Sequence, residues 1–256
     1  MFRREVPAVP GHGAEAAATR FGLIGLSGGQ IAANFTTGRK NTGFRVICVE
    51  VCETFTSIQG ESTYAGMPCF FIRLAGCNLS CSYCDTPQAL KPGTRKAVGD
   101  LVALAADSKV PLVEITGGEP LLQDGFVELA GRLVAETGKI VLVETNGTRD
   151  ISAIPDKAVA IMDIKCPGSG AGAATDWDNI DRLRPYDEVK FVISDRADFD
   201  WAQGTVERYG LHSRCRAVFL SPAAGRLKAA DLASWMLAAP APVRLGLQLH
   251  GILGLK

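Results

Sequence analysis

The sequence predicts an α/β fold, an incomplete and open parallel β/α barrel of about six strands. Three observations carry that reading. Short β-branched runs alternate with helical patterns along most of the chain. The strands so found are fewer than the eight that close a barrel. Polar and Gly-rich clusters follow those strands at 76–84, 116–120, 144–148, 163–170 and Ser194, and in parallel α/β folds that edge carries the chemistry.

Taken in order, residues 1–44 are rich in Ala and Gly, lack sustained periodicity, and read as a flexible leader or a non-native extension. One ordered domain is expected over 45–256. The run 44–56 alternates with period two and reads as a strand; 68–74 is a second, ending just before Gly76. Residues 98–106 suit a helix and 112–115 a strand. Helical spacing over 121–137 stops at Gly138. Strands are expected at 140–144, 159–165, 188–193 and 217–220, with helices at 198–209 and 227–237. The segment 244–250 alternates again.

Composition excludes several classes. Of 256 residues, 47% are hydrophobic and 21% charged, which suits a globular chain. Lys plus Arg (27) offsets Asp plus Glu (27), so bulk charge favours neither a nucleic acid nor a membrane surface as partner. The longest leading apolar run, 21–26, is far too short to span a bilayer. A cytoplasmic protein is expected. Eight cysteines are too sparse for a disulfide scaffold.

Three of those cysteines form a CxxxCxxC run, Cys77-Asn-Leu-Ser-Cys81-Ser-Tyr-Cys84. Three thiolates on a tight loop can hold three corners of an iron–sulfur cube and leave the fourth iron open. Zinc is the other reading, although the three histidines (His12, His212 and His250) have no finger spacing. Cys48, Cys52, Cys69, Cys166 and Cys215 are read as packing residues. Thr116-Gly-Gly-Glu-Pro120 lies between a strand and a helix, and consecutive glycines let a ligand approach bare backbone. Gly168-Ser-Gly170-Ala-Gly-Ala173 matches a dinucleotide fingerprint in letters only, because no helix is expected to open there.

CxxxCxxC followed by GGEP resembles the radical S-adenosylmethionine (SAM) superfamily. That resemblance implies a 4Fe–4S cluster on Cys77, Cys81 and Cys84, with SAM on the open iron and Tyr83 against adenine. A narrower set, Ser57-Ile-Gln-Gly-Glu61, Cys84-Asp-Thr86, Glu144-Thr-Asn-Gly-Thr148, Asp163-Ile-Lys-Cys-Pro-Gly-Ser169 and Gln248-Leu-His250, is similar to the 7-carboxy-7-deazaguanine synthase family. The likeness runs from about residue 45 to the C-terminus. It implies conversion of 6-carboxy-5,6,7,8-tetrahydropterin to 7-carboxy-7-deazaguanine with loss of ammonia, on the way to queuosine and other 7-deazapurines. By that resemblance Ile58, Gln59, Gly60, Arg73 and Thr116 meet the pterin, and Thr86 holds Mg²⁺. Tyr83, Cys84, Asp85, Gly118, Asp163, Ile164, Lys165 and Ser194 meet SAM. An electron donor such as flavodoxin or ferredoxin and a homodimer are also implied.

Each residue has a plainer reading. Arg73 suits a solvated charge at a strand end, Thr86 a helix N-cap ahead of Pro87, Asp163 and Lys165 an ion pair, and His250 a core histidine. Gly251 stands where the family pattern leads one to expect a lysine. A glycyl-radical activating enzyme shares CxxxCxxC and GGEP but needs a groove for a protein partner. The segment 57–61 with Arg73 favours the small pterin pocket.

Overall fold

The computed structural model describes residues 46–239 and 241–255, so the leader reading for 1–44 lies outside the described residues. Among the described residues nine strands form one sheet: β1 (Cys48–Ile58), β2 (Pro68–Leu74), β3 (Thr94–Ala97), β4 (Leu112–Gly117), β5 (Ile140–Thr145), β6 (Ala158–Asp163), β7 (Glu188–Ile193), β8 (Ala217–Pro222) and β9 (Arg244–Leu245). Their order is β3-β1-β2-β4-β5-β6-β7-β8-β9. From β2 to β9 every pairing is parallel, and among the described residues β9 does not return to β3, so the barrel is open. The six full-length parallel strands, β2 and β4 to β8, are those the sequence predicts.

Helices α1 (Val98–Asp107), α2 (Phe126–Glu136), α3 (Asn179–Arg182), α4 (Arg196–Tyr209), α5 (Leu211–Arg214), α6 (Ala229–Ala238) and α7 (Leu249–Leu253) complete the chain. The longer ones bury one stripe each. In α2 the stripe is Phe126, Leu129, Ala130 and Leu133, spaced to face the sheet once per turn. Asp195 starts α4 by accepting the Asp198 N–H, and Gly210 ends it with left-handed backbone.

Three expectations need correction. The first strand is not part of the parallel set: β1 runs antiparallel to both β2 and β3. Cys48 and Cys52 are half-buried rather than packed, because the alternation sends Val49 and Val51 into the core and a bulge falls at Cys52. The 244–250 alternation yields only the two residues of β9 before the chain turns into α7. Cys69, Cys166 and Cys215 are buried as read. The 168–173 segment forms only short 3₁₀ turns, Pro167–Ser169 and Gly172–Ala174.

Side-chain alternation divides the sheet into two faces. Ile72, Val113, Val143, Met162, Phe191 and Leu220 pack under the helices. The other face lines the barrel interior, and its lower half is apolar: Cys69, Phe71, Leu112, Leu142, Val159 and Ile161. Two residues further along the same strands stand Arg73, Glu114, Glu144 and Asp163, joined by Lys190 of β7. The interior therefore changes from oil to charge toward the C-terminal edge.

Candidate active site

A cavity opens at that edge. Its walls include the cysteine loop, the 58–61 segment after β1, Gly117 and Gly118 after β4, Asp163 and Lys165 after β6, and Gln248 with His250 at α7. The connection after β1 reaches across the sheet to β7, where Thr63 donates to Glu188 from its backbone N–H at 3.0 Å. Leu249 N–H donates to the Gly60 carbonyl at 3.0 Å, so the C-terminal helix seals the side beside β1. Gly60 has to be small there, since a Cβ would sit 2.1 Å from His250 Nδ1. Gly251, by contrast, has open space where a side chain would project.

Backbone pressed on backbone places the GGEP turn. A Cβ on Gly118 would fall 2.1 Å from the Gly76 carbonyl oxygen and 2.8 Å from Cys77 Cβ. Glu119 is wholly buried and clamps the turn to β5, accepting from Leu121 N, Thr145 Oγ1 and Asn146 N. Asn146 in turn reaches the cysteine loop, donating to Asn78 Oδ1 at 3.1 Å and to Cys77 Sγ at 3.8 Å.

Cys77, Cys81 and Cys84 all face the cavity as free thiols. Burial pushes the Cys81 thiol up, against the pull of Lys165. Among the described residues no three His, Cys, Asp or Glu side chains close on a single ion. A cubane cluster asks for something else, three thiolates on three irons, and three free thiols on one loop fit that demand. For SAM, the fit rests on Asp163 Oδ1 at the end of β6, a buried polar atom left without a partner on a residue that lines the cavity. Such buried atoms want a donor or acceptor from outside the chain.

Electrostatics concentrate on Lys190. Its Nζ lies 2.7 Å from Glu61, 2.6 Å from Glu144 and 3.5 Å from Asp163, while Lys165 meets Asp163 at 2.9 Å. Burial alone would lower both lysines, but the carboxylates around them hold both up. Burial would raise Glu144, yet Lys190 and the Thr116 hydroxyl outweigh it and hold Glu144 at about 2. Glu114 goes the other way: burial, then the charges of Glu144 and Glu61, push it well above the usual carboxylate range. Its carboxyl accepts from Gln59 Nε2.

The cavity lining brings together Ile58, Gln59, Gly60, Arg73, Tyr83, Cys84, Asp85, Thr86, Thr116, Gly118, Asp163 and Lys165 of the sequence-predicted residues. Two lie outside it. Ile164 is buried beneath the helices and offers the site only backbone, its N–H already given to the Lys190 carbonyl. Ser194 sits behind the lining with its N–H on Asp198. Arg73 is not a solvated charge: it pairs with Glu53 at 3.1 Å and lies 5.6 Å from the Phe55 ring centroid. Gln59 is braced at both ends of its amide, since its Oε1 also accepts from Glu61 N at 2.8 Å. Thr86 precedes the 3₁₀ turn Pro87–Leu90 without capping it and donates instead to Asp85 at 2.8 Å. Glu144 opens the Glu144–Thr148 motif, but Glu114 and Lys190 were not singled out by any motif. The available signal was a charge inside an otherwise apolar strand, as in Leu-Val-Glu114-Ile and Val-Lys190-Phe.

With the geometry in place, comparison with known proteins is decisive. The radical SAM superfamily model matches residues 71–168, from the middle of β2 through the loop after β6. A 7-carboxy-7-deazaguanine synthase of Koribacter versatilis is 43% identical over 79% of this chain and 95% of its own length. The chain belongs to the 7-carboxy-7-deazaguanine synthase family. The Chlorobaculum tepidum synthase is 39% identical over 79% of the chain and 92% of its own length. The fold agrees with the crystal structure of QueE from Escherichia coli, with a TM-score of 0.65 at 22% identity over 78% of this chain and 94% of that one. Among the described residues no helix is long and apolar enough to cross a membrane.

Proposed function

We propose that this chain is a radical SAM enzyme converting 6-carboxy-5,6,7,8-tetrahydropterin to 7-carboxy-7-deazaguanine with release of ammonia, in the cytoplasm, as a homodimer reduced by a flavodoxin or ferredoxin. One observation carries the reading: a 43% identical synthase aligned along nearly its whole length, whose region of likeness includes the three free thiols facing a charged cavity. The named relatives favour it over a glycyl-radical activating enzyme.

Cys77, Cys81 and Cys84 would hold the 4Fe–4S cluster. Bound there, cluster and SAM together would supply the electron and the 5′-deoxyadenosyl radical that takes hydrogen from the substrate. The chain's own residues bind, orient and exclude water. Asp163 Oδ1, buried without a partner on a lining residue, would accept from SAM. Lys165, Asp85, the Gly118 and Ile164 backbone and the Tyr83 ring would complete its surroundings. Thr86 would give Mg²⁺ its hydroxyl, and that ion keeps most of its ligands as water and substrate oxygen.

On the substrate side, Arg73 would meet the carboxylate and Thr116 with 58–60 the pterin. Gln59, tied to Glu114 and Glu61, fixes the wall rather than swinging freely. Phe55 and Phe71, stacked 4.9 Å apart, keep water from entering beneath. The test is anaerobic reconstitution with iron and sulfide, then incubation with SAM, a reductant and the carboxypterin. Formation of 7-carboxy-7-deazaguanine is expected; SAM cleavage without any turnover of the pterin would refute the substrate.

A further inference from the structure

The cysteine loop leaves β2 but is anchored on the far side of the barrel mouth. Ser82, between the second and third cysteines, donates its N–H to the Ser169 carbonyl at 2.9 Å and its hydroxyl to the Gly168 carbonyl at 3.0 Å. Gly168 is itself held by Asp198 of α4, at 2.8 Å. Tyr83 gives its hydroxyl to the Val192 carbonyl of β7 at 3.2 Å. The third anchor is a side chain that no motif marks. Arg226, in the loop after β8, donates from Nη2 to the Ser82 carbonyl at 2.7 Å, and its guanidinium lies 5.4 Å from the Tyr83 ring centroid.

We propose that Arg226 is a positioning residue for SAM, fixing the Ser82-Tyr83 dipeptide so that the Tyr83 ring is set for the adenine before SAM arrives. The inference rests on the radical SAM reading above. The geometry supports it in two ways. One guanidinium serves two adjacent residues, gripping the backbone of the first and facing the ring of the second, which only a planar fork on a long stem does. The hold also crosses the open barrel, from the loop after β8 to the loop after β2, where no sheet hydrogen bond joins the two walls. Arg226 is exposed, so its removal leaves the core intact.

The test uses the full chain, reconstituted anaerobically, as wild type, Arg226→Gln and Arg226→Lys. Iron content and Tm should match wild type in both variants. In the cleavage of SAM to 5′-deoxyadenosine, KM for SAM should rise about tenfold in Arg226→Gln, the size of one lost charge-assisted hydrogen bond, with kcat within about twofold. Arg226→Lys should recover part of this, keeping charge over the ring without the fork. An independent readout is the electron paramagnetic resonance signal of the reduced cluster, whose SAM-induced change should need about tenfold more SAM in Arg226→Gln. Unchanged KM and unchanged titration would overturn the proposal. So would iron content and Tm falling together with activity, which would make the residue merely structural. A wild-type chain that neither holds iron nor cleaves SAM overturns the radical SAM reading and this inference with it, a result seen without any variant.

Discussion

Replacing Lys190 with Met removes the cation at the centre of the site and keeps most of its volume. Its Nζ has Glu61 at 2.7 Å, Glu144 at 2.6 Å and Asp163 at 3.5 Å, and the lysine side chain is only 7% exposed. Asp163 retains Lys165, Glu144 retains the Thr116 hydroxyl, and Glu61 retains Gln248. Two half-buried carboxylates then lose their counter-charge, for which the buried-pair cost of about 3–5 kcal/mol is the upper figure. Glu144 gives a second route to the number. Held at about 2 against an ordinary 4.5, it contributes roughly 3 kcal/mol at neutral pH, at 1.36 kcal/mol per pH unit. For a domain of this size that is a fall in Tm of about 6–20 °C. The pH dependence has a definite sign. In the wild type the depressed Glu144 gives stability that is complete above its unfolded value and is lost as pH falls from about 4.5 toward 2. Glu144 therefore adds no slope to the wild-type Tm between pH 8 and 5.5; Glu114, raised in the fold, makes stability fall as pH rises there, in wild type and variant alike. In Lys190→Met, burial without the lysine pushes Glu144 upward, so protonation relieves the defect and stability rises as pH falls. Thermal unfolding followed by circular dichroism between pH 8 and 5.5 checks this. A Tm drop under about 2 °C at pH 7, or a gap that does not narrow toward pH 5.5, refutes the reasoning.

Cys77→Ala, Cys81→Ala and Cys84→Ala should each abolish turnover, because each thiolate would hold a separate iron; Cys48→Ala and Cys52→Ala should keep full iron content. Equal iron loss in Cys52→Ala would show that the half-buried pair on β1 takes part in cluster binding. Arg73→Ala should lose roughly two to three decades in kcat/KM for the carboxypterin, from about 3–5 kcal/mol for a broken buried pair. Slow SAM cleavage without substrate should survive that change, and Arg73→Lys should rescue little. A paired assay of the two activities decides: if both fall together, Arg73 supports the fold through Glu53, and if neither falls, the carboxylate is held elsewhere.

The six parallel strands were legible because each is a short apolar run bounded by Gly or polar residues, as Ile140–Thr145 shows. The direction of β1 was not legible from its alternation, which is the same for parallel and antiparallel neighbours. The spacing did hold the answer. Only residues 59–67 separate Ile58 from Pro68, too few for the crossover of a dozen or more that a parallel return requires. Thr94–Ala97 escaped notice because it is a short edge strand of Thr, Arg and Lys, a composition that keeps edges from pairing further. In the site, cysteines and glycines announced themselves by spacing. Glu61 and Glu144 lie in motifs but Lys190 does not, and their network was hidden because they come from three separate elements that meet only through the fold. Arg226 had no signal at all, since its partner is a backbone carbonyl 144 residues away.

The open sheet explains why so much of the site is devoted to holding loops. A closed barrel fixes its rim by strand pairing all round, but here nothing in the sheet joins β9 to β3 among the described residues. The two walls are tied instead by side chains that cross the mouth. Lys190 joins β7 to Glu61 after β1, and Gln248 extends that tie to the C-terminal helix. Ser82 and Tyr83, after β2, are held by Gly168, Val192 and Arg226 from the loops and ends of β6, β7 and β8. Asp163, at the end of β6 between the two sets of ties, touches both Lys165 and Lys190. Charge that would be a liability in a closed core thus replaces hydrogen bonds the sheet cannot supply. It also leaves Asp163, a cavity-lining residue, with one oxygen still unpaired.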